Sequence, residues 1–266
     1  TGRPNNDKGK DEMENIHHEL VKGFQSFGAA FRVADVFRDF IELAAIALIN
    51  QYAFDTEWEQ RESRYHEIRR KYPEADFCRF PEMLGVLMFA VNKAQEQGVF
   101  DDVLGRLYMD LGLGNENRGQ FFTPYCISKL MAALGGLDVA EKLKTEKFVS
   151  VLEPTCGSGA NLIAFAEHVR EAGYTPSQRM AALGVDIDIL CVQMCFIQCQ
   201  LYGIPAKIVH GDSLTREFWS AWCTSDWILG GIAQAMEEKI VAERGGETAA
   251  AVPAELITLE EQLVLF

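Results

Sequence analysis

The chain lacks a surplus of basic residues. Its 25 lysines and arginines face 39 acids over 266 residues, a net charge of −14. Residues 1–118 hold 15 basic and 21 acidic side chains (−6), residues 119–231 hold 8 and 11 (−3), and residues 232–266 hold 2 and 7 (−5). No segment is basic, so none reads as a broad phosphate-binding surface. A long apolar run is also missing. The longest, Ile41 to Asn50, is broken by Glu42 and is far too short to cross a bilayer. No secretory pattern opens the sequence at Thr1-Gly2-Arg3-Pro4, and the seven cysteines contain no CxxC pair. These absences predict a reduced, cytoplasmic setting with free thiols and no membrane partner. What is present is ordinary for a globular chain: 48% hydrophobic and 24% charged residues, enough for one large domain or two small ones.

Local patterns divide the chain. Residues 1–20 are polar and charge-rich, which predicts a mobile leader extending to 28. Apolar residues from Phe31 to Ile49 follow a 3.6-residue period. Further helices are expected from about Thr56 to Lys71, from Pro81 to Gln97 before Gly98, and from Asp101 to Leu111. Residues 29–118 therefore read as a helical domain. The grammar then changes. Strands are expected at Lys147–Leu152, Met180–Val185, Ala206–His210 and Asp226–Leu229, with helices between the first three. Alternation of this kind means right-handed βαβ units, so 119–231 reads as a Rossmann-like α/β unit with a parallel sheet. An acidic tail, 232–266, follows.

Three strand tips carry candidate chemistry. Glu153-Pro154-Thr155-Cys156-Gly157-Ser158-Gly159 sits where the first strand becomes a helix. Glycines there allow a tight turn and close backbone approach, and the helix N-terminus offers free N–H groups. The bland alternative is a plain strand-to-helix turn. Gly184-Val185-Asp186-Ile187-Asp188 puts an acid at the tip of strand two, placed for ribose hydroxyls. Asp188 suits a helix cap instead. His210-Gly211-Asp212 places an acid at the tip of strand three, either in an ordinary turn or as an acceptor for an adenine amino group.

The order and spacing of these motifs resemble the S-adenosylmethionine site of class I methyltransferases. Gly119-Gln120-Phe121-Phe122-Thr123-Pro124 narrows the resemblance to N6-adenine DNA methyltransferases related to the methylation subunit of type I restriction-modification systems. The resemblance covers about residues 100–231. It implies a helical domain followed by a class I methyltransferase sheet. It also implies cofactor contacts at Phe122, Thr123, Pro124, Glu153, Gly157, Gly159, Asp186 and Asp212, with Thr123-Pro124 at the methionine end.

The departure from the family lies at the next motif, an Asn-Pro-Pro-aromatic tetrad at the tip of strand four. There the asparagine and a proline carbonyl accept from adenine N6, and the ring stacks on the flipped base. This chain has Gly231-Ile232-Ala233-Gln234 instead, and Asn-Pro-Pro occurs nowhere in it. No catalytic residue is intact. After Gly231 only 35 residues follow, too few for three more strands at about 30 residues per βαβ unit. The expectation is a truncated, four-stranded parallel sheet in order 3-2-1-4, with strand four at an exposed edge. The expected function is S-adenosylmethionine binding with weak or partner-dependent adenine-N6 methylation. The alternative is a catalytically dead interaction or anti-restriction protein of a mobile element.

Two further features stand apart. Cys191, Cys195 and Cys199 recur every four residues, which on a helix makes a core-facing stripe rather than a metal signature. His17-His18 have no identifiable partner. The chain ends Gln262-Leu263-Val264-Leu265-Phe266, which looks like the peptide that docks bacterial DNA-processing proteins on the replication sliding clamp. Its glutamine makes polar contacts, while Leu263, Leu265 and Phe266 serve as apolar anchors. The alternative is packing on the protein's own sheet edge. A restriction-modification or methyltransferase subunit is the other expected partner, and DNA is reached through such a partner.

Overall fold

The computed structural model describes residues 6–28, 30–114 and 122–243. In chain order the helical half comprises α1 (Asn6–Gln25), α2 (Val33–Ile49), α3 (Trp58–Arg69), α4 (Glu74–Phe77), α5 (Arg79–Gln97), α6 (Val103–Asp110), α7 (Tyr125–Gly135) and α8 (Val139–Thr145). Then follow β1 (Val149–Glu153), α9 (Ala160–Glu171), α10 (Pro176–Arg179), β2 (Met180–Asp186), α11 (Ile189–Leu201), β3 (Ala206–Asp212), β4 (Glu217–Cys223), α12 (Ser225–Leu229) and α13 (Ile232–Glu243).

α2 is the central helix of the first half. Its apolar residues are buried around most of its circumference, including Phe37, Phe40, Ile41 and Ala45. It packs on α11, so the helical half lies against the sheet layer and one apolar core runs through both. α5 ends as expected, with Gly98 in the left-handed conformation at φ 75°.

The mobile leader is corrected. Asn6–Gln25 is a helix, because Ile16, Leu20 and Phe24 recur every four residues and bury one stripe. The Phe24 ring lies 5.3 Å from Phe37 and 5.2 Å from Phe40. Polar composition hid this stripe. His17 is not partnerless either; its Nε2 lies 2.7 Å from an Asp110 carboxylate oxygen.

The sheet is mixed, in order β1-β2-β3-β4. β1 pairs parallel with β2, Val149 opposite Met180 and Glu153 opposite Gly184. β2 pairs parallel with β3, Asp186 opposite His210. β4 is antiparallel to β3, Lys207 opposite Cys223. This corrects the expected order 3-2-1-4 and the fourth strand itself. Asp226–Leu229 is helical because Thr224 caps it: the Thr224 Oγ1 accepts from the Trp227 N–H and from the Ala206 N–H, and donates to the Ile204 carbonyl. The actual fourth strand, Glu217–Cys223, returns after a short turn in which Arg216 has φ 60°. The edges left unpaired among the described residues are therefore those of β1 and β4.

One face of the sheet carries α9 and α11. On the other, Trp227 of α12 and Ile232, Ala235 and Met236 of α13 pack with Phe148 and Ala181. Cys191, Cys195 and Cys199 are reduced cysteines buried in the core, and no metal-binding cluster occurs among the described residues.

Candidate functional site

β1, β2 and β3 run parallel, so their carboxyl ends lie at one edge of the sheet, where ligands bind in open α/β folds. Glu153 closes β1, Asp186 closes β2 and Asp212 closes β3. The turn after β1 is built for close approach. Gly157 has φ 54° and Gly159 φ 102°, both in left-handed backbone. A Cβ on Gly157 would stand 3.3 Å from the Phe122 ring, and one on Gly159 would stand 3.0 Å from the Cys195 Sγ.

Asp186 organises this turn. Its Oδ2 accepts from the Gly157 N–H at 2.9 Å, and its Oδ1 accepts from the Asp188 N–H at 2.9 Å. Burial pushes its carboxyl above the ordinary range, and the two backbone donors pull the other way. Asp188 acts as the cap of α11, accepting from the Leu190 N–H at 3.0 Å. The Glu153 Oε2 accepts from the Asn161 amide at 2.7 Å, which turns that carboxylate toward the start of α9.

The structure thus brings Phe122, Gly157, Asp186 and Glu153 into one neighbourhood. Thr123 and Pro124 are exposed beside it and line a groove of about 340 Å³ with Asp101, Arg106, Met109 and Tyr125. Asp212 stands further along the strand tips; its Oδ1 accepts from the Leu214 and Thr215 N–H groups, the ordinary turn role. Gly119, Gln120 and Phe121 lie outside the described residues, as do Gln262, Leu263, Leu265 and Phe266.

Sequence reasoning missed the support beneath the turn. Asp102, the cap of α6, is fully buried and accepts from the Ser158 hydroxyl at 2.5 Å, the Gln198 amide at 2.7 Å and the Gly105 N–H at 2.9 Å. Gln198 also donates to the Ser158 carbonyl at 2.8 Å. Burial raises the Asp102 carboxyl above the ordinary range. The available signal was an acid followed three residues on by glycine at a helix start, which reads only as a cap.

The set of groups suits a nucleoside bearing a positively charged tail. The tips offer carboxylates and backbone N–H groups, and the absence of a Cβ at Gly157 and Gly159 lets Phe122 and Cys195 close on the turn. The fold is the α/β class with a glycine turn and an acid at successive parallel strand tips. A profile described as N-6 DNA methylase matches residues 100–241, more than half of the chain, so the chain belongs to that family. The cofactor of this family is S-adenosylmethionine.

One curated relative is the type I restriction enzyme EcoEI methylase subunit of Escherichia coli. It is 25% identical over 138 residues, which are 49% of this chain and 26% of that protein. The chain thus spans about a quarter of that relative's length. A solved structure described as a class I S-adenosylmethionine-dependent methyltransferase from Listeria monocytogenes overlaps 78% of this chain and 54% of its own, at 16% identity and a TM-score of 0.39.

Proposed function

We propose that the tips of β1, β2 and β3, with Phe122-Thr123-Pro124, hold S-adenosylmethionine, and that the chain is an adenine-N6 DNA methylase relative impaired in methyl transfer on its own. The observation that carries the cofactor reading is the Asp186–Gly157 hydrogen bond, which joins the acid of strand two to the glycine turn. With one oxygen on each of two backbone donors, Asp186 keeps lone pairs for ribose hydroxyls. Glu153 would face the positively charged end, Thr123-Pro124 the methionine end and Asp212 the adenine amino group. Gly157 and Gly159 let the turn lie close. When bound, the cofactor supplies an electrophilic methyl group.

The impairment rests on Gly231-Ile232-Ala233-Gln234. Gly231 has φ 74°, and Ile232 opens α13 buried against Phe148 and Trp227. Gly231 has no side chain to accept from adenine N6, and Gln234 has no ring to stack on it. The same observation favours a second reading, a cofactor-binding interaction or anti-restriction protein with no methylation. Calorimetric titration with S-adenosylmethionine tests the first claim; saturable heat supports it, and neither heat nor thermal shift sinks it. Methylation of DNA adenine by the pure chain would show that the tetrad is dispensable here.

The partners belong to the same proposal. A restriction-modification or methyltransferase subunit would bring the chain to DNA, since no segment is basic. The peptide Gln262–Phe266 would dock on the sliding clamp. If a variant without 262–266 still binds the clamp, that docking claim fails.

A further inference from the structure

The unpaired edge of β1 adjoins an apolar stripe that no described residue covers. α7 turns Ser128 and Ala132 inward and packs on α9. Its other face shows Ile127, Leu130, Met131 and Leu134, spaced i, i+3, i+4 and i+7. Leu134 is 63% exposed, and Leu137 just beyond the helix is 82% exposed. A groove of about 460 Å³ runs between α7, α8 and the whole of β1 from Val149 to Glu153, and Met131 of this face lines it. Ser150 to Glu153 are only half-buried, whereas β2 is buried from Met180 to Val185. A strand edge beside an exposed apolar helix face is a template for adding another strand.

We infer that this surface binds a second copy of the chain, with the two β1 strands paired antiparallel about a two-fold axis. A two-fold places each strand against its own copy in the antiparallel sense and joins two four-stranded sheets into one of eight. It also sets α7 against α7, so each leucine stripe covers the other. Charge permits the contact here. Residues 122–147 carry four lysines and three acids, a net of +1 in a chain of −14. Lys129, Lys142 and Lys144 already pair with Glu167, Asp138 and Glu141. The five exposed side chains offer on the order of 500 Å² of apolar surface per copy, at the upper end of what a monomer leaves uncovered. Two copies together remove on the order of 1,000 Å² there, and strand pairing adds to it, which meets the threshold of a specific interface.

Sedimentation equilibrium of the full chain tests this, with hydrogen exchange of the β1 amides as a second readout. The chain is expected at twice its 29.8 kDa mass across the micromolar range, with protected β1 amides. The double variant Leu130→Glu/Leu134→Glu changes exposed positions outside the cofactor site. It is expected as a monomer of unchanged thermal melt, with association weakened at least ~100-fold and faster β1 exchange. A monomeric parent chain overturns the proposal, as does a variant that still dimerises. A chain that dimerises only after removal of 244–266 assigns the surface to its own tail and also overturns it.

Discussion

The Ser158 hydroxyl donates to Asp102 at 2.5 Å, joining the glycine turn to the N-cap of α6, 56 positions earlier. That bond ties the helical half to the turn after β1 through a carboxylate whose donors among the described residues are all neutral. The Gln198 amide completes the junction from α11, so three elements meet on one side chain.

Asp102→Ala should therefore be among the most damaging single changes. It strands the Ser158 hydroxyl, one Gln198 bond and the Gly105 N–H in a buried place. The expected loss is about 3 kcal/mol, since each buried donor left unmade costs roughly 1–3 kcal/mol and some relax together. Urea unfolding followed by circular dichroism measures it. Asp102→Asn keeps an acceptor oxygen and should lose less than the alanine variant.

The same carboxyl predicts a pH effect. Burial raises the folded Asp102 value above the ordinary 3.8. A raised folded value means that the folded state holds the proton more tightly than the unfolded chain does. Its contribution to stability is complete below the unfolded value and is lost as pH rises through the folded one. Relative to Asp102→Asn, which cannot titrate, the parent chain should gain stability as pH falls from neutral toward 4. Chemical denaturation of both proteins across that range measures the difference. A difference that does not vary with pH would show that Asp102 titrates alike in both states.

The first three strand assignments and most helices were legible because their signals are local. Met180–Val185 is a continuous apolar run, and Gly98 marks the end of α5. The strand tips Glu153, Asp186 and Asp212 followed from those assignments. The fourth strand was not legible in the same way. Asp226-Trp227-Ile228-Leu229 looks like a buried strand until Thr224 is seen holding three backbone groups at its start. Phe218, Trp219 and Trp222 in the true strand are β-favouring residues, but only pairing with β3 selects that segment. α1 was missed for a related reason: its stripe of Ile16, Leu20 and Phe24 is narrow within a charged segment, and it takes α5, α6 and α2 to give it something to cover. Apart from the local cap bond to Gly105, the Asp102 junction is tertiary, since its other partners come from the turn before α9 and from α11.

Asp186→Ala separates cofactor binding from folding. The side chain is half-buried and serves two backbone donors of the site, Gly157 and Asp188. Its removal should weaken S-adenosylmethionine binding by at least ~10-fold, about 1.4 kcal/mol, with a smaller change in stability than Asp102→Ala. Titration calorimetry and a thermal melt read the two effects separately. Burial also lifts the Asp186 carboxyl above its ordinary 3.8, so it takes up a proton at a higher pH than an exposed aspartate. In the parent chain, affinity should fall at acid pH, beginning above that ordinary value. Affinity that is flat through the acid range would remove Asp186 from the ribose role.

Gly159→Ala tests the turn itself. At φ 102° a side chain is strained whatever the space, and that cost is of order 1–3 kcal/mol. Here space is also short, because the new Cβ would lie 3.0 Å from the Cys195 Sγ and 3.3 Å from the Cys195 backbone. Trimming the thiol relieves the first clash and leaves the second. Gly159→Ala should thus unfold at lower denaturant than the parent, and adding Cys195→Ala should recover only part of the loss relative to Cys195→Ala alone. Two causes acting together give that partial recovery: backbone strain persists, while crowding is eased. Full recovery would assign the whole effect to crowding by the thiol. No recovery would assign it to backbone strain and to the nearby α11 backbone, leaving the thiol without a part in it. Urea midpoints for the four proteins of this cycle decide between them.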